Sequence, residues 1–344
     1  MRILPQIAAL VTLTTLSSLA QSPSATGPYK VLQTLKVGGD GGYDYLYADA
    51  ASRKLYIPRI GPSGRITVFD LDTLKPAGEI AKTNAHGVAA DTASHHAFAS
   101  SKPVAMWDSN TLAPIKTIDV QGQPDGVLDD AFNSRIYVLS HEAPNATVID
   151  AATGSVVGTI DLGGEPEQAV SDGKGNIYVD IEDKGNIAVV DAKTLKVTTH
   201  YDLQGKGAGC AGLAIDVKNN LLFAACRKPQ TMVVLSAVDG KILDALPIGS
   251  GTDGAAFNPD TLEAFATHGE GTLTVIKENN PTSFSVEQTL KTLPRARTIT
   301  IDSKTGRIFT VTAEFGPPPP PAHGEKWSRA PMLPGTFTIL EVGK

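Results

Sequence analysis

A short apolar run that closes on an acid or its amide recurs seven times along this chain of 344 residues. The copies are Tyr45-Leu46-Tyr47-Ala48-Asp49, Gly87-Val88-Ala89-Ala90-Asp91, Gly126-Val127-Leu128-Asp129-Asp130, Gln168-Ala169-Val170-Ser171-Asp172, Gly212-Leu213-Ala214-Ile215-Asp216, Gly254-Ala255-Ala256-Phe257-Asn258 and Thr298-Ile299-Thr300-Ile301-Asp302. Their closing residues stand 42, 39, 42, 44, 42 and 44 apart. A fixed period of this size constrains architecture more than any local propensity, because a single unit cannot bury both its faces and must stack on its neighbours.

Within each unit three further runs follow. The second is aromatic and aliphatic, as in Leu55-Tyr56-Ile57, Ile136-Tyr137-Val138, Ile177-Tyr178-Val179 and Leu222-Phe223-Ala224. The third ends in Asp with Thr three residues on: Val68-Phe69-Asp70 with Thr73, Met106-Trp107-Asp108 with Thr111, Val148-Ile149-Asp150 with Thr153, and Val189-Val190-Asp191 with Thr194. A fourth follows, as in Val156-Val157-Gly158-Thr159-Ile160. Runs this short, rich in Val, Ile and Tyr and punctuated by Asp, Asn, Gly and Ser, are strands joined by tight turns. The sequence therefore predicts an all-β chain: a seven-bladed β-propeller of four-stranded antiparallel blades. Lys30 to Val37 reads as a fourth strand with no first strand before it, and the last unit stops after its third strand. The N-terminal strand is expected to complete the last blade and remove an open sheet edge. Residues 29–344 then form one domain.

With 41% hydrophobic residues and only 19% charged ones, the chain has the material for a core. A net charge of −6, with no Lys/Arg cluster, argues against nucleic acid as a partner. Residues 1–20 carry Arg2, an apolar stretch, and Ser18-Leu19-Ala20 before Gln21, the pattern of a cleaved signal peptide. Residues 21–28 are a leader. This implies a periplasmic or secreted protein with no integral membrane segment after cleavage. Export permits a disulfide, and Cys210 and Cys226 flank a hairpin that would bring them face to face; two buried thiols are the alternative.

The runs Arg135-Ile136-Tyr137-Val138 and Asn176-Ile177-Tyr178-Val179, with Val148-Ile149-Asp150 leading to Thr153-Gly154, resemble the YncE-like, YVTN-repeat β-propellers of exported bacterial proteins. The resemblance covers nearly everything after Pro28. It implies the fold, and it says little about chemistry, because the same scaffold carries binding proteins, quinoprotein-dehydrogenase-like subunits and haem enzymes.

In a propeller the innermost strand lines the axis, and the residues just before it ring one mouth. Five positions before each closing residue stand Asp44, His86, Asp125, Glu167, Ala211, Asp253 and Arg297. The loop after each second strand opens on the same mouth and adds Arg59, His141, Glu182, Arg227 and His268. Such side chains either satisfy loop amides in a hydrated channel or converge as a site for a divalent cation or small polar ligand. No cofactor is demanded by any motif: Cys-x-x-Cys-His, His-Glu-x-x-His and calcium-loop patterns are absent from the sequence. Gly207-Ala208-Gly209-Cys210-Ala211-Gly212 matches a dinucleotide fingerprint by letter but precedes a strand where that fingerprint opens a helix.

The last blade carries the one non-repetitive segment, an insertion over 315–335 with five consecutive prolines from Pro317 to Pro321. Proline runs favour a stiff extended arm. With His323, Trp327 and Arg329 it reads as a lid or docking arm, or as an irregular loop on the blade edge. The favoured function is an exported propeller that binds a small polar ligand, a metal ion or an envelope protein through its ionisable mouth and this arm. The alternative is an enzyme or enzyme subunit, a quinoprotein-dehydrogenase-like component or a metal-dependent hydrolase, with its site in the same funnel.

Overall fold

The computed structural model describes residues 26–143, 145–320 and 330–344. The signal peptide expected over 1–20, most of the leader, and His323, Trp327 and Arg329 of the arm lie outside the described residues. Those described form seven four-stranded antiparallel sheets. Six are consecutive meanders; blade 3, for example, runs Pro124–Asp130, Arg135–Ser140, Ala146–Asp150 and Val156–Ile160. Blade 7 is composite: Thr300–Ile301, Ile308–Thr312 and Thr338–Gly343 come from the C-terminus, and Lys30–Lys36 pairs antiparallel with Thr338–Gly343 as the outer strand. The N-terminal strand closes the ring.

The Asp-x-x-Thr signature has a direct cause. One carboxylate oxygen of Asp70 accepts both the Thr73 backbone N–H (2.8 Å) and its hydroxyl (2.7 Å), and Asp108 with Thr111 and Asp150 with Thr153 repeat the pattern. The residue after Thr then turns left-handed: Gly154 has φ 64°, and Leu74 takes φ 54°. Leu74 accepts that backbone while its side chain is buried in the core beneath blade 1.

Hydrophobic clusters fill the gaps between neighbouring blades. Tyr137 and Val148 of blade 3 pack with Ile177, Ile181 and Val190 of blade 4, and Tyr56 and Val68 of blade 1 pack with Ala97 and Trp107 of blade 2. Outer strands such as Pro114–Ile118 are largely exposed. At the axis the innermost strands come very close. A Cβ added to Gly212 would lie 2.6 Å from the Gly254 carbonyl carbon, and one on Gly126 2.9 Å from the Glu167 carbonyl oxygen. A cavity of about 400 Å³ runs between the innermost strands of all seven blades. Most of the residues lining it are apolar, among them Leu128, Val170, Ile215, Phe257 and Ile301, but polar atoms make up about half of its exposed wall. In blade 5, Cys210 pairs with Cys226 across the hairpin, and the two are joined by a disulfide.

Candidate functional site

A break in register aims the mouth residues. In blades 2, 3, 4 and 6 the pairing of the innermost strand skips between Ala85 and Val88, Pro124 and Val127, Pro166 and Ala169, and Thr252 and Ala255. The skipped residues include His86, Asp125, Glu167 and Asp253. A bulge leaves its residue out of the ladder and redirects the side chain, here into the mouth. The following glycine in blades 2, 3 and 6 lets the strands converge.

The ionisable side chains then join into a chain that crosses all seven blades. His86 Nδ1 lies 2.8 Å from Asp44 Oδ2 and 2.9 Å from Asp125 Oδ1. The other oxygen of Asp125 is 3.3 Å from His141 Nε2, which is 3.7 Å from Glu167 Oε1. Glu167 Oε2 accepts the Tyr45 hydroxyl at 2.7 Å. Beyond it the charge changes sign: Arg227 donates to Glu182 and to Asp253, and Arg297 Nε sits 2.9 Å from Asp253 Oδ2. The mouth has two arcs. Blades 1 to 4 present carboxylates and imidazoles, and blades 5 to 7 present guanidiniums matched to Glu182 and Asp253.

Electrostatics follow this division. Hydrogen bonds donated to Asp125 and then to Asp44 push the His86 imidazole up to about 10, against the opposing effect of burial. Burial, reinforced by a hydrogen bond with Glu182, pushes the Glu167 carboxyl up to about 9. Burial also raises Asp253 to about 6, although Arg297 and Arg227 pull it down. The acid-rich arc thus holds more carboxylate than its surroundings neutralise.

Two residues expected at the mouth are elsewhere. Arg59 is buried, its guanidinium 3.5 Å over the Phe337 ring and bonded to the Gly38 carbonyl oxygen at 3.3 Å. His268 is also buried, with Nε2 2.9 Å from Thr274 Oγ1 of its own blade, and burial holds it down at about 4. The cause is a slip of one residue. Counting from the hairpin pairs Lys54↔Asp49, Glu263↔Asn258 and Arg135↔Asp130, Arg59 and His268 correspond to Ser140, one position before His141. Adjacent strand residues point to opposite faces, so both turn into the blade. The equivalents of His141, Glu182 and Arg227 in blades 1 and 6 are Ile60 and Gly269, which bear no charge.

Three participants escaped the repeat argument. Tyr45 follows the ring position of blade 1 and reaches Glu167 across the mouth. Gln168 accepts the backbone N–H groups of Leu213 and Ala255, each at 3.1 Å, and so bridges blades 4, 5 and 6 at the top of the channel. Asp180 is completely buried two residues before Glu182, with no hydrogen-bond partner for either carboxylate oxygen among the described residues, and burial lifts it far above the usual range. Gln168 carried a signal: it stands where the neighbouring repeats have Gly126 and Gly212.

No family model matches the sequence. Two curated relatives do, the uncharacterized YncE proteins of Salmonella typhi and Salmonella typhimurium, each 24% identical over 166 residues, 46% of this chain and 47% of the relative. The chain therefore spans about half the length of the relatives it matches. Among solved structures, a chain of the crystal structure of the mitotic checkpoint complex superposes with a TM-score of 0.66 over 90% of this chain and 95% of that one, at 11% identity. That likeness shows the fold alone. The closed ring of seven four-stranded blades makes this chain a seven-bladed β-propeller, and over about half its length it is similar to the YncE proteins.

Proposed function

We propose that the chain is an exported binding protein whose funnel mouth holds a divalent cation and, through it, a small polar ligand. One observation carries this reading. Asp44, His86 and Asp125 form one group, and Asp125, His141 and Glu167 a second, in which the carboxylate and imidazole donor atoms lie within 4.8 Å of one another. Mixed oxygen and imidazole donors suit first-row divalent ions. His86 and His141 keep 40% and 38% of their side chains exposed, so a ligand entering the mouth meets them first. Export is supported by the N-terminal pattern and by the disulfide.

The hydrolase alternative shares this site. Three protein donors leave coordination positions open for water or substrate, as in catalytic sites and unlike closed structural ones. The proline-rich arm roots beside the same mouth. Phe315 bridges to Met332, and the Arg295 guanidinium lies 3.9 Å over the Phe315 ring, two residues before Arg297.

Thermal denaturation with and without Zn²⁺ or Mn²⁺ tests the reading. At a hundredfold excess over Kd, linkage supplies about 2.7 kcal/mol, roughly a 5 °C rise in a domain of this size. Asp125→Asn is expected to abolish the rise, and Asp253→Asn, on the arginine arc, to retain it. No rise with either ion, or an equal rise in Asp125→Asn, contradicts the proposal.

A further inference from the structure

The mouth places two donor groups on either side of a single carboxylate. We infer that Asp125 bridges a pair of divalent cations, one held with Asp44 and His86 and the other with His141 and Glu167. This rests on the cation-binding reading above and adds number, position and a bridging ligand to it.

Each half has its own geometric argument. His86 Nδ1 faces two carboxylate oxygens, at 2.8 and 2.9 Å from Asp44 and Asp125. An imidazole nitrogen carries at most one hydrogen, which cannot point fully at both acceptors. Three donors converging on one spot suit an ion better than a shared proton. On the other side, His141 Nε2 stands 3.3 Å from Asp125 and 3.7 Å from Glu167. The longer separation exceeds a hydrogen bond, and the shorter one is at its upper limit. Bonds of about 2.0–2.2 Å to a tetrahedral ion put its donors roughly 3.3–3.6 Å apart, which is close to the spacing here.

The bridge itself is built in. Asp125 turns Oδ1 to His86 and Oδ2 to His141, so its two oxygens already serve different halves. Its side chain is 13% exposed, and it lies in the bulge of blade 3, flanked by Pro124 and Gly126. The result is one imidazole and one terminal carboxylate per ion plus a shared carboxylate, with the ions about 3.5–4 Å apart, the spacing of two-metal sites that clamp one oxygen ligand between them. Because both imidazoles border solvent, that shared ligand is a water, a hydroxide or one oxygen of a small anion.

Metal content of the full mature chain, stripped with chelator and equilibrated with Zn²⁺, gives the test. Wild type should hold two ions, His86→Ala and His141→Ala one each, and Asp125→Asn none. Loading with Mn²⁺ adds a readout independent of stoichiometry: a carboxylate-bridged pair couples magnetically and suppresses the six-line resonance of an isolated ion. Far-UV circular dichroism on the metal-free variants separates loss of sites from loss of fold. One ion per wild-type chain or an uncoupled Mn²⁺ spectrum overturns the pair while leaving cation binding intact; an ion retained by Asp125→Asn overturns the pair and contradicts the mouth as the cation site. No ion in the wild-type chain overturns both.

Discussion

A chain that starts at Val37 is expected to lose its fold. The strand Lys30–Lys36 is the outer strand of blade 7, and removing it unzips its ladder with Thr338–Gly343 and exposes that strand as an edge. Tyr29 goes with it. Its ring packs edge-to-face on Phe265, 5.2 Å between centroids; its hydroxyl bonds Glu263; and its backbone N–H and C=O both pair with the Gln288 side chain at 2.9 Å. The Lys344 ammonium, at the other end of the chain, lies 5.2 Å over the same ring. Replacing one large buried aromatic by Ala costs about 3–5 kcal/mol, and total stability is typically about 5–15 kcal/mol. Tyr29→Ala should therefore survive with a stability lower by about 3 kcal/mol or more, and the truncation should be unfolded or aggregated. Denaturant melts of both against the untruncated chain decide it. A truncated chain melting at the wild-type midpoint would refute closure by the N-terminal strand.

The second large effect concerns pH. Asp129 lines the axial cavity with Oδ1 lacking a hydrogen-bond partner among the described residues. Burial first, then the neighbouring charges of Asp91 and Asp130, push its carboxyl up to about 7. The Tyr47 phenol, itself raised mainly by burial and in part by Asp49 and Asp129, is the further titratable group facing it. The folded value exceeds the unfolded one, near 4, so the fold prefers the protonated acid. The associated stability is full below about pH 4 and is lost as pH rises through about 7. At about 1.4 kcal/mol per unit, reduced for partial exposure, roughly 2 kcal/mol is at stake. Asp129→Asn keeps the shape and removes the charge. It should match wild type near pH 4 and exceed it by about 2 kcal/mol at pH 8. Glu278, also raised to about 7 by burial and by Asp216, titrates in both proteins, so the difference between them isolates Asp129. Identical pH profiles would contradict the assignment.

Blade number, ring closure and the hairpin that pairs Cys210 with Cys226 were legible because the period and turn chemistry repeat. Asp70, Asp108 and Asp150 each fix the same turn, and the closing residues of each innermost strand keep their spacing. Strand limits were less legible: Thr298 to Asp302 reads as a full strand, but only Thr300–Ile301 pairs. The innermost ring followed the register from Asp44 to Arg297. Arg59 and His268 did not, because a strand end decides by a single residue which face a side chain takes, and the repeat does not mark that residue. Phe337, just ahead of the strand Thr338–Gly343, and Thr274, on the neighbouring strand of blade 6, hold them inside and leave no local trace. Asp180 was equally hidden: nothing in Ile177-Tyr178-Val179-Asp180 marks an acid that the fold buries without a partner.

The division of the mouth into two arcs is likewise a tertiary result. In sequence, Arg227, Asp253 and Arg297 look like further members of one ionisable ring; in space they pair among themselves and with Glu182. They leave blades 1 to 4 as the arc whose carboxylates face imidazoles.

Anomalous scattering from a crystal of the protein equilibrated with Zn²⁺, recorded on both sides of the zinc absorption edge, is the most direct test. Density bonded to Asp125 in the mouth, with His86 and His141 as partners, is the result this account requires. A mouth free of anomalous density at saturating Zn²⁺, with the ion bound instead on the outer blades or nowhere, would contradict it.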